Sequence, residues 1–312
     1  MNKSAKSKEL AQAKEMARII VRHHFGSKSR RITQKNGGLS NLVFSAIHAE
    51  GDFIVRLSFE PSRINSFIKE QWAQTAAREV GVPTTEILEV GNEIIGFPFM
   101  ISRTVEGCEA TDHENRLQIL REMGRYASLI NSIPTSGFGT SFNWSSNQLS
   151  RNETLIDYLE KELQVESRLK VLEKQKILDT PQLKKLQAIF KATIKSNPSP
   201  SLNHGDMRLK NVIVDEAGKI KAVIDWENAI SSLAPEWELS IALHDLSIDE
   251  KQEFLEGYGL TEKKIGESMP LVKAFNIINY TGKIESLMAE KDMVKLEQYR
   301  TRLSGMLDLY SL

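Results

Sequence analysis

Leu10, Ala13, Ala17, Ile20 and Val21 recur at helical spacing near the start of the chain, which predicts an amphipathic helix with a short, alanine-rich apolar stripe. From Arg31 the texture changes to strands. Leu42–His48 and Phe53–Phe59 are rich in aromatic and β-branched residues and flank the turn-prone Glu50-Gly51-Asp52. Asn65–Val80 reads as a helix stopped by Gly81 and Pro83, and two more strands, Glu86–Val90 and Phe97–Val105, surround Gly91-Asn92. Past Glu106-Gly107 the period becomes helical. Helices are expected at Glu114–Ile133, Glu153–Leu178 and Pro181–Lys195, with Thr180 placed to cap the last and Pro181 in its first turn. Asn197-Pro198-Ser199-Pro200 breaks the chain before a short hairpin, and helices resume from about Trp237. The pattern predicts an α+β protein: a small antiparallel sheet with an inserted helix over residues 1–104, and a mostly helical region over residues 105–312.

A chain of 312 residues is long for one core, so two lobes are the natural expectation. Charge narrows the partners. Lysine plus arginine total 41, matching the 41 aspartates and glutamates, so no global field favours nucleic acid. The first 35 residues do concentrate ten Lys/Arg against Glu9 and Glu15, but the apolar stripe there is too weak to hold a lipid surface unaided. A leading helix packed on the first lobe, with a solvated basic face, is the expected arrangement. Cys108 is the only cysteine, which rules out an intramolecular disulfide and a Cys-rich metal site. No apolar run approaches the roughly 20 residues that span a bilayer, and Met1–Ile20 lacks the apolar core of a secretory signal. A cytoplasmic protein that binds neither membrane nor nucleic acid is expected, with its oligomeric state left open.

Chemistry concentrates in His204-Gly205-Asp206-Met207-Arg208-Leu209-Lys210-Asn211, followed by Val212–Val214, a turn at Asp215–Gly218, Lys219–Ile224 and then Asp225-Trp226-Glu227. A hairpin returns the chain to where it started, so Asn211 before the outgoing strand and Asp225 after the returning one are brought to one end, near Asp206. Two carboxylates and an amide suit Mg²⁺, which takes few protein oxygens and keeps the rest of its shell for water and phosphates.

The pattern H-G-D-x-x-x-x-N followed by I-D-W-E resembles the catalytic and metal motifs of the aminoglycoside phosphotransferase and choline kinase-like family. The resemblance implies a protein-kinase-like fold of two lobes and an ATP-dependent transfer of phosphate to a hydroxyl of a small molecule, with GTP left open as the donor. By the same resemblance Asp206 would orient the hydroxyl, Arg208 would stand where many protein kinases place a phosphate-contacting lysine, and Asn211 and Asp225 would hold Mg²⁺. His204 would buttress the loop. Gly37-Gly38-Leu39-Ser40 lies where the family has its phosphate-covering loop, with Gly37, Gly38 and Ser40 as candidate contacts. Arg56 takes the place of the strand lysine, Glu70 would be its ion-pair partner with Glu79 as competitor, and Ser102 with Arg103 would form the hinge that meets adenine. Ala234–Leu239 also echoes the family, with Glu238 where an aspartate is usual.

The acceptor is not written in these motifs: antibiotics, choline-like amines and sugars are all handled by relatives. Glu227, Glu236, Glu238 and Asp245 either meet a polycationic acceptor or are ordinary helix charges. The rival from another class is a silent nucleotide-binding pseudokinase. It would be expected to lack Asp206, Asn211 or Asp225, and this chain keeps all three.

Overall fold

A computed structural model describes residues 3–35, 41–140 and 152–305. The chain divides into two compact units, one made of Met1–Glu109 with Val212–Glu227, the other of Ala110–Asn211 with Asn228–Leu312.

The first unit is built on a five-stranded antiparallel sheet. Its strands are β1 (Arg31–Gln34), β2 (Leu42–His48), β3 (Gly51–Leu57), β4 (Ile87–Gly91) and β5 (Phe99–Arg103), in spatial order β1-β2-β3-β5-β4. Alternation sets the register: Phe44 and Ala46 on β2 and Phe53, Val55 and Leu57 on β3 are buried, as period-2 patterning requires. Helix α1 (Lys3–Phe25) lays the predicted stripe on this sheet, with Ala13, Ala17, Ile20 and Val21 fully buried in the same core as Phe44, Phe53, Phe99 and Ile101. The stripe is thereby spent on the sheet. Helix α2 (Arg63–Glu79) joins β3 to β4, and Gly81, at φ +91°, turns the chain out of it.

A second, three-stranded sheet belongs to the same unit. The hairpin of β8 (Val212–Val214) and β9 (Ile220–Val223) pairs with the two-residue β6 (Cys108–Glu109) in the order β6-β8-β9. Val223 is bound to the segment after α2, its N–H donating to Pro83 O at 2.8 Å.

The second unit is helical. Helix α3 (Arg116–Asn131) is followed by a turn, α4 (Leu155–Asp157), that runs into a π-helical stretch at Tyr158–Glu162, then by α5 (Val165–Lys174) and α6 (Thr180–Lys195). The single helix expected over Glu153–Leu178 is therefore broken. Gln164 takes the left-handed conformation at φ +51° and caps α5, although no glycine or proline announces the break. Asp179, not Thr180, caps α6 through a reciprocal box with Gln182, because its carboxylate reaches the Gln182 N–H at 2.8 Å. Two short strands, β7 (Ser201–Asn203) and β10 (Ile230–Ser232), pair antiparallel. Then come α7 (Glu236–Ala242), α8 (Ile248–Tyr258), α9 (Glu262–Glu290) and α10 (Met293–Gly305). The long α9 is the spine of the core, with Phe275, Ile277, Ile278 and Ile284 fully buried among side chains of α5, α6 and α7.

Helices α3 and α8 approach through glycine on both sides. A Cβ on Gly124 would stand 2.0 Å from Phe254 O, and one on Gly257 would stand 1.8 Å from Arg121 O. Among the described residues no helix is long and apolar enough to cross a membrane.

Candidate active site

In the helical unit the H-G-D loop is held by its backbone. His204 and Gly205 donate their N–H groups to Glu238 Oε2 at 2.6 and 3.4 Å, and Asp206 N donates to His204 Nδ1 at 3.2 Å. An accepting Nδ1 places the imidazole proton on Nε2, so the fully buried His204 braces the loop as a neutral ring. Gly205 sits at φ +76°, and a Cβ there would lie 2.2 Å from Asn228 O, which explains why the second residue of the motif carries no side chain.

The loop presents Asp206, only 8% exposed, with its carboxylate between two cations. Arg208 Nε stands 2.9 Å from Oδ1, and Lys210 Nζ 2.8 Å from Oδ2. Asn211 Nδ2 donates to Asp206 Oδ2 at 2.9 Å and to its backbone O at 2.8 Å. Arg208 Nε makes no hydrogen bond, so its contact with Oδ1 is an ion pair, and the carboxylate is fixed by the hydrogen bond from Asn211 to Oδ2. Because its amide nitrogen is committed to Asp206, Asn211 keeps Oδ1 as a hard oxygen donor. Asn211 directly precedes β8, and the Val212↔Val223 register closes the hairpin two residues before Asp225.

In the sheet unit, Arg56 and Glu70 form the expected pair. Arg56 Nη1 and Nη2 donate to Glu70 Oε2 and Oε1 at 2.6 and 3.2 Å, a bidentate fork that a lysine cannot make. Glu79, the competitor, is exposed at the end of α2. Burial pushes the Glu70 pKa up, against the pull of Arg56, and the nearby Asp225 and Glu227 carboxylates raise it further. Glu227 Oε2 lies 3.9 Å from Arg56 Nη2, and Lys69, itself buried, donates to Glu227 O at 2.8 Å. Three carboxylates thus gather about two cations. Asp225 adopts φ +63°, a left-handed conformation that aspartate tolerates better than most residues.

Ser102 is placed inside β5, opposite Ile54 on one side and Ile87 on the other. That double ladder leaves it no free strand edge. Arg103 N and Thr104 N are also bonded, to Glu86 O and Asp52 O, so the first backbone beyond the sheet is Val105-Glu106. Gly37, Gly38 and Ser40 lie outside the described residues.

The placing of Lys210 and Lys69 at the site, and the task of Glu238, are not evident from sequence. Lys210 sits one residue before Asn211, yet no periodic signal turns it toward Asp206. Lys69 is a buried lysine on an otherwise ordinary helix, and its partner is a backbone carbonyl 158 residues away. Glu238 is fully buried and serves the loop amides, with its pKa pushed up to about 7 by burial against the pull of those hydrogen bonds. Of the other carboxylates weighed for a polycation, Glu236 accepts from Ser268 Oγ at 2.8 Å and Asp245 faces Arg208 at 3.6 Å.

The model of the phosphotransferase enzyme family matches residues 31–269, most of the chain. The chain belongs to that family. Solved structures agree on the fold, which is the α+β, protein-kinase-like fold of aminoglycoside phosphotransferases. A thermostable mutant of aminoglycoside phosphotransferase APH(4)-Ia in its apo form superposes with a TM-score of 0.67 at 18% identity, over 93% of this chain and 97% of that one. The GDP and kanamycin complex of APH(2")-IIIa gives a TM-score of 0.62 at 14% identity, over 92% and 96%. A putative aminoglycoside phosphotransferase from Ralstonia eutropha JMP134 gives 0.56 at 16%, over 96% and 95%. No curated protein matches the chain by sequence. Family members are phosphotransferases, and structures like this one have been solved with ADP and hygromycin B.

Proposed function

We propose that this phosphotransferase moves the γ-phosphate of ATP, bound with Mg²⁺, to a hydroxyl of a small molecule, with Asp206 orienting that hydroxyl. The observation that carries the reading is the setting of Asp206: a side chain on a backbone-pinned loop, fixed by the Asn211 hydrogen bond to Oδ2 and flanked by Arg208 and Lys210. An oriented carboxylate of this kind contributes by positioning and by taking the proton.

The donor set fits Mg²⁺. Asn211 Oδ1 and Asp225 are the hard oxygens that would hold it, the second beside the Glu70 and Glu227 carboxyls. Bound there, the ion would neutralise charge on the nucleotide phosphates. Arg56, anchored by Glu70, adds a fixed guanidinium. Arg208 and Lys210 supply cationic charge beside Asp206, where charge moves during transfer. Val105-Glu106, the first backbone past the β5 ladder, is the better candidate for the adenine edge than Ser102. Similar structures solved with ADP and with GDP leave the purine to be measured.

The test is a panel of hydroxylated small molecules offered with Mg-ATP or Mg-GTP and followed by phosphorus NMR. A phosphomonoester on one acceptor is expected. Asp206→Asn should abolish it, by a factor on the order of 10²–10⁴ at least, while calorimetry still finds nucleotide binding. Near-normal turnover in a folded Asp206→Asn protein would remove the assignment.

A further inference from the structure

The helical unit contains a cavity of about 770 Å³, within the range that suits a small organic ligand. It is bounded by α7, the Leu243–Ser247 turn, α8 and the first half of α9. Most of its wall is apolar, with Leu239, Leu243, Leu255, Ile265, Met269 and Val272 contributing. The charged residues on it balance: Asp245, Glu256 and Glu262 against Lys251, Lys273 and Arg302. The acids are mostly committed already. Asp245 lies 3.6 Å from Arg208 and 4.0 Å from Arg302, and Glu256 is paired with Arg121. His244 adds no charge, since burial pushes its pKa down to about 4 and its ring packs on Tyr280 at 4.0 Å.

A guest carrying several ammonium groups needs several uncommitted carboxylates, because a buried charge without a partner is costly. This wall does not supply them. The apolar body of an uncharged guest meets no such cost on leaving water for leucine, methionine and valine side chains, and gains roughly 25 cal/mol per Å² of apolar surface it buries.

One side chain links the cavity to the reaction. Asp245 stands on the cavity wall and faces Arg208, whose Nε is 2.9 Å from Asp206 Oδ1.

We infer that this cavity receives the phosphate acceptor, and that the acceptor is an uncharged molecule with an apolar body and a hydroxyl-bearing end. The inference rests on the proposed phosphotransfer for its reaction, though not for its binding. The hydroxyl end lies toward Asp245 and Arg208, and the apolar body is held by α8 and α9. In the transfer, the acceptor oxygen forms a bond to the γ-phosphorus and the bridging bond to the β-phosphate oxygen breaks. ADP leaves, and the hydroxyl proton passes to Asp206.

The probes are n-octyl β-D-glucoside, kept below its micellar concentration, and kanamycin, each titrated calorimetrically into the full chain. Octyl glucoside is expected to bind. Its affinity should fall at least about tenfold in both Leu255→Trp and Ile265→Trp, where an indole on a half-buried wall position fills the space. Thermal unfolding checks the fold of each variant, and having two lets one decide if the other misfolds. Kanamycin should not bind. Kanamycin binding without octyl glucoside binding, or octyl glucoside binding unchanged in the folded tryptophan variants, overturns the inference. A protein that binds Mg-ADP but no octyl glucoside also overturns it, and leaves the phosphotransfer standing. Octyl glucoside binding without any Mg-ADP binding supports the cavity and sinks the phosphotransfer instead.

Discussion

Glu70 lies fully buried with its carboxylate forked onto Arg56, and that burial sets the sign of what happens when the arginine is removed. With Arg56 present, attraction to the guanidinium opposes the desolvation that raises the Glu70 pKa. In Arg56→Ala only the raising causes remain, so the folded-state pKa climbs further above the unfolded one. Stability that depends on a protonated Glu70 is then present below the unfolded pKa and is lost as pH rises through the folded one. Arg56→Ala should therefore lose more stability relative to wild type at pH 8 than at pH 5 in urea unfolding; an equal loss at both would mean that Glu70 stays ionised throughout. On turnover, Arg56→Ala should cost roughly 1.5–3 kcal/mol in kcat/KM, with Arg56→Lys costing less because the charge survives the loss of the fork. The double variant Arg56→Ala, Glu70→Ala should be little worse than Arg56→Ala alone, and fully additive losses would show that the pair does not act as a unit. The pair was legible through the family resemblance, which puts Arg56 in the place of the strand lysine and Glu70 on the helix after it, with Glu79 as the competitor. Lys69, Lys210 and the role of Glu238 were not, because their partners are backbone groups or a loop carboxylate that only the tertiary fold brings near.

At the scale of elements, most of the architecture followed from period and punctuation. β2 was expected and found at Leu42–His48, and α2, α3 and α6 fall within two residues of their expected ends. The break at Gln164 was not legible, since a left-handed glutamine leaves no mark on an apolar pattern that continues across it. Helix α7 is the element with the largest unforeseen task, because it carries Glu238 beneath the H-G-D loop. A carboxyl whose folded pKa is near 7, against an ordinary value of 4.5, binds its proton more tightly in the folded protein. Its stabilising contribution is full below about pH 4.5 and is lost as pH rises toward 7, a change on the order of 3 kcal/mol. Glu238→Gln, which cannot titrate, should lack that part of the slope. Urea unfolding of both proteins between pH 4.5 and 8 checks this, and parallel pH profiles would show that Glu238 does not change protonation there.

Over the whole molecule, close packing and chain path matter more than any motif. The α3–α8 contact depends on two glycines facing backbone carbonyls. Gly257→Ala should therefore cost about 1–3 kcal/mol or more by overpacking, seen as a lowered Tm, with little change in nucleotide affinity. The sheet unit was legible in its strands but not in its path, since a two-residue strand such as β6 has no periodicity to read. That path has a consequence for how the protein is made. On a ribosome, β6 is finished when residue 109 emerges, but β8, against which it pairs, arrives only after residues 110–211 have been synthesised. The carbonyl that takes the Lys69 hydrogen bond comes later still, at Glu227. The nascent first unit must hold its five-stranded sheet ready while the first part of the other unit is translated, and its charged cluster is completed only by the last stretch that returns to it.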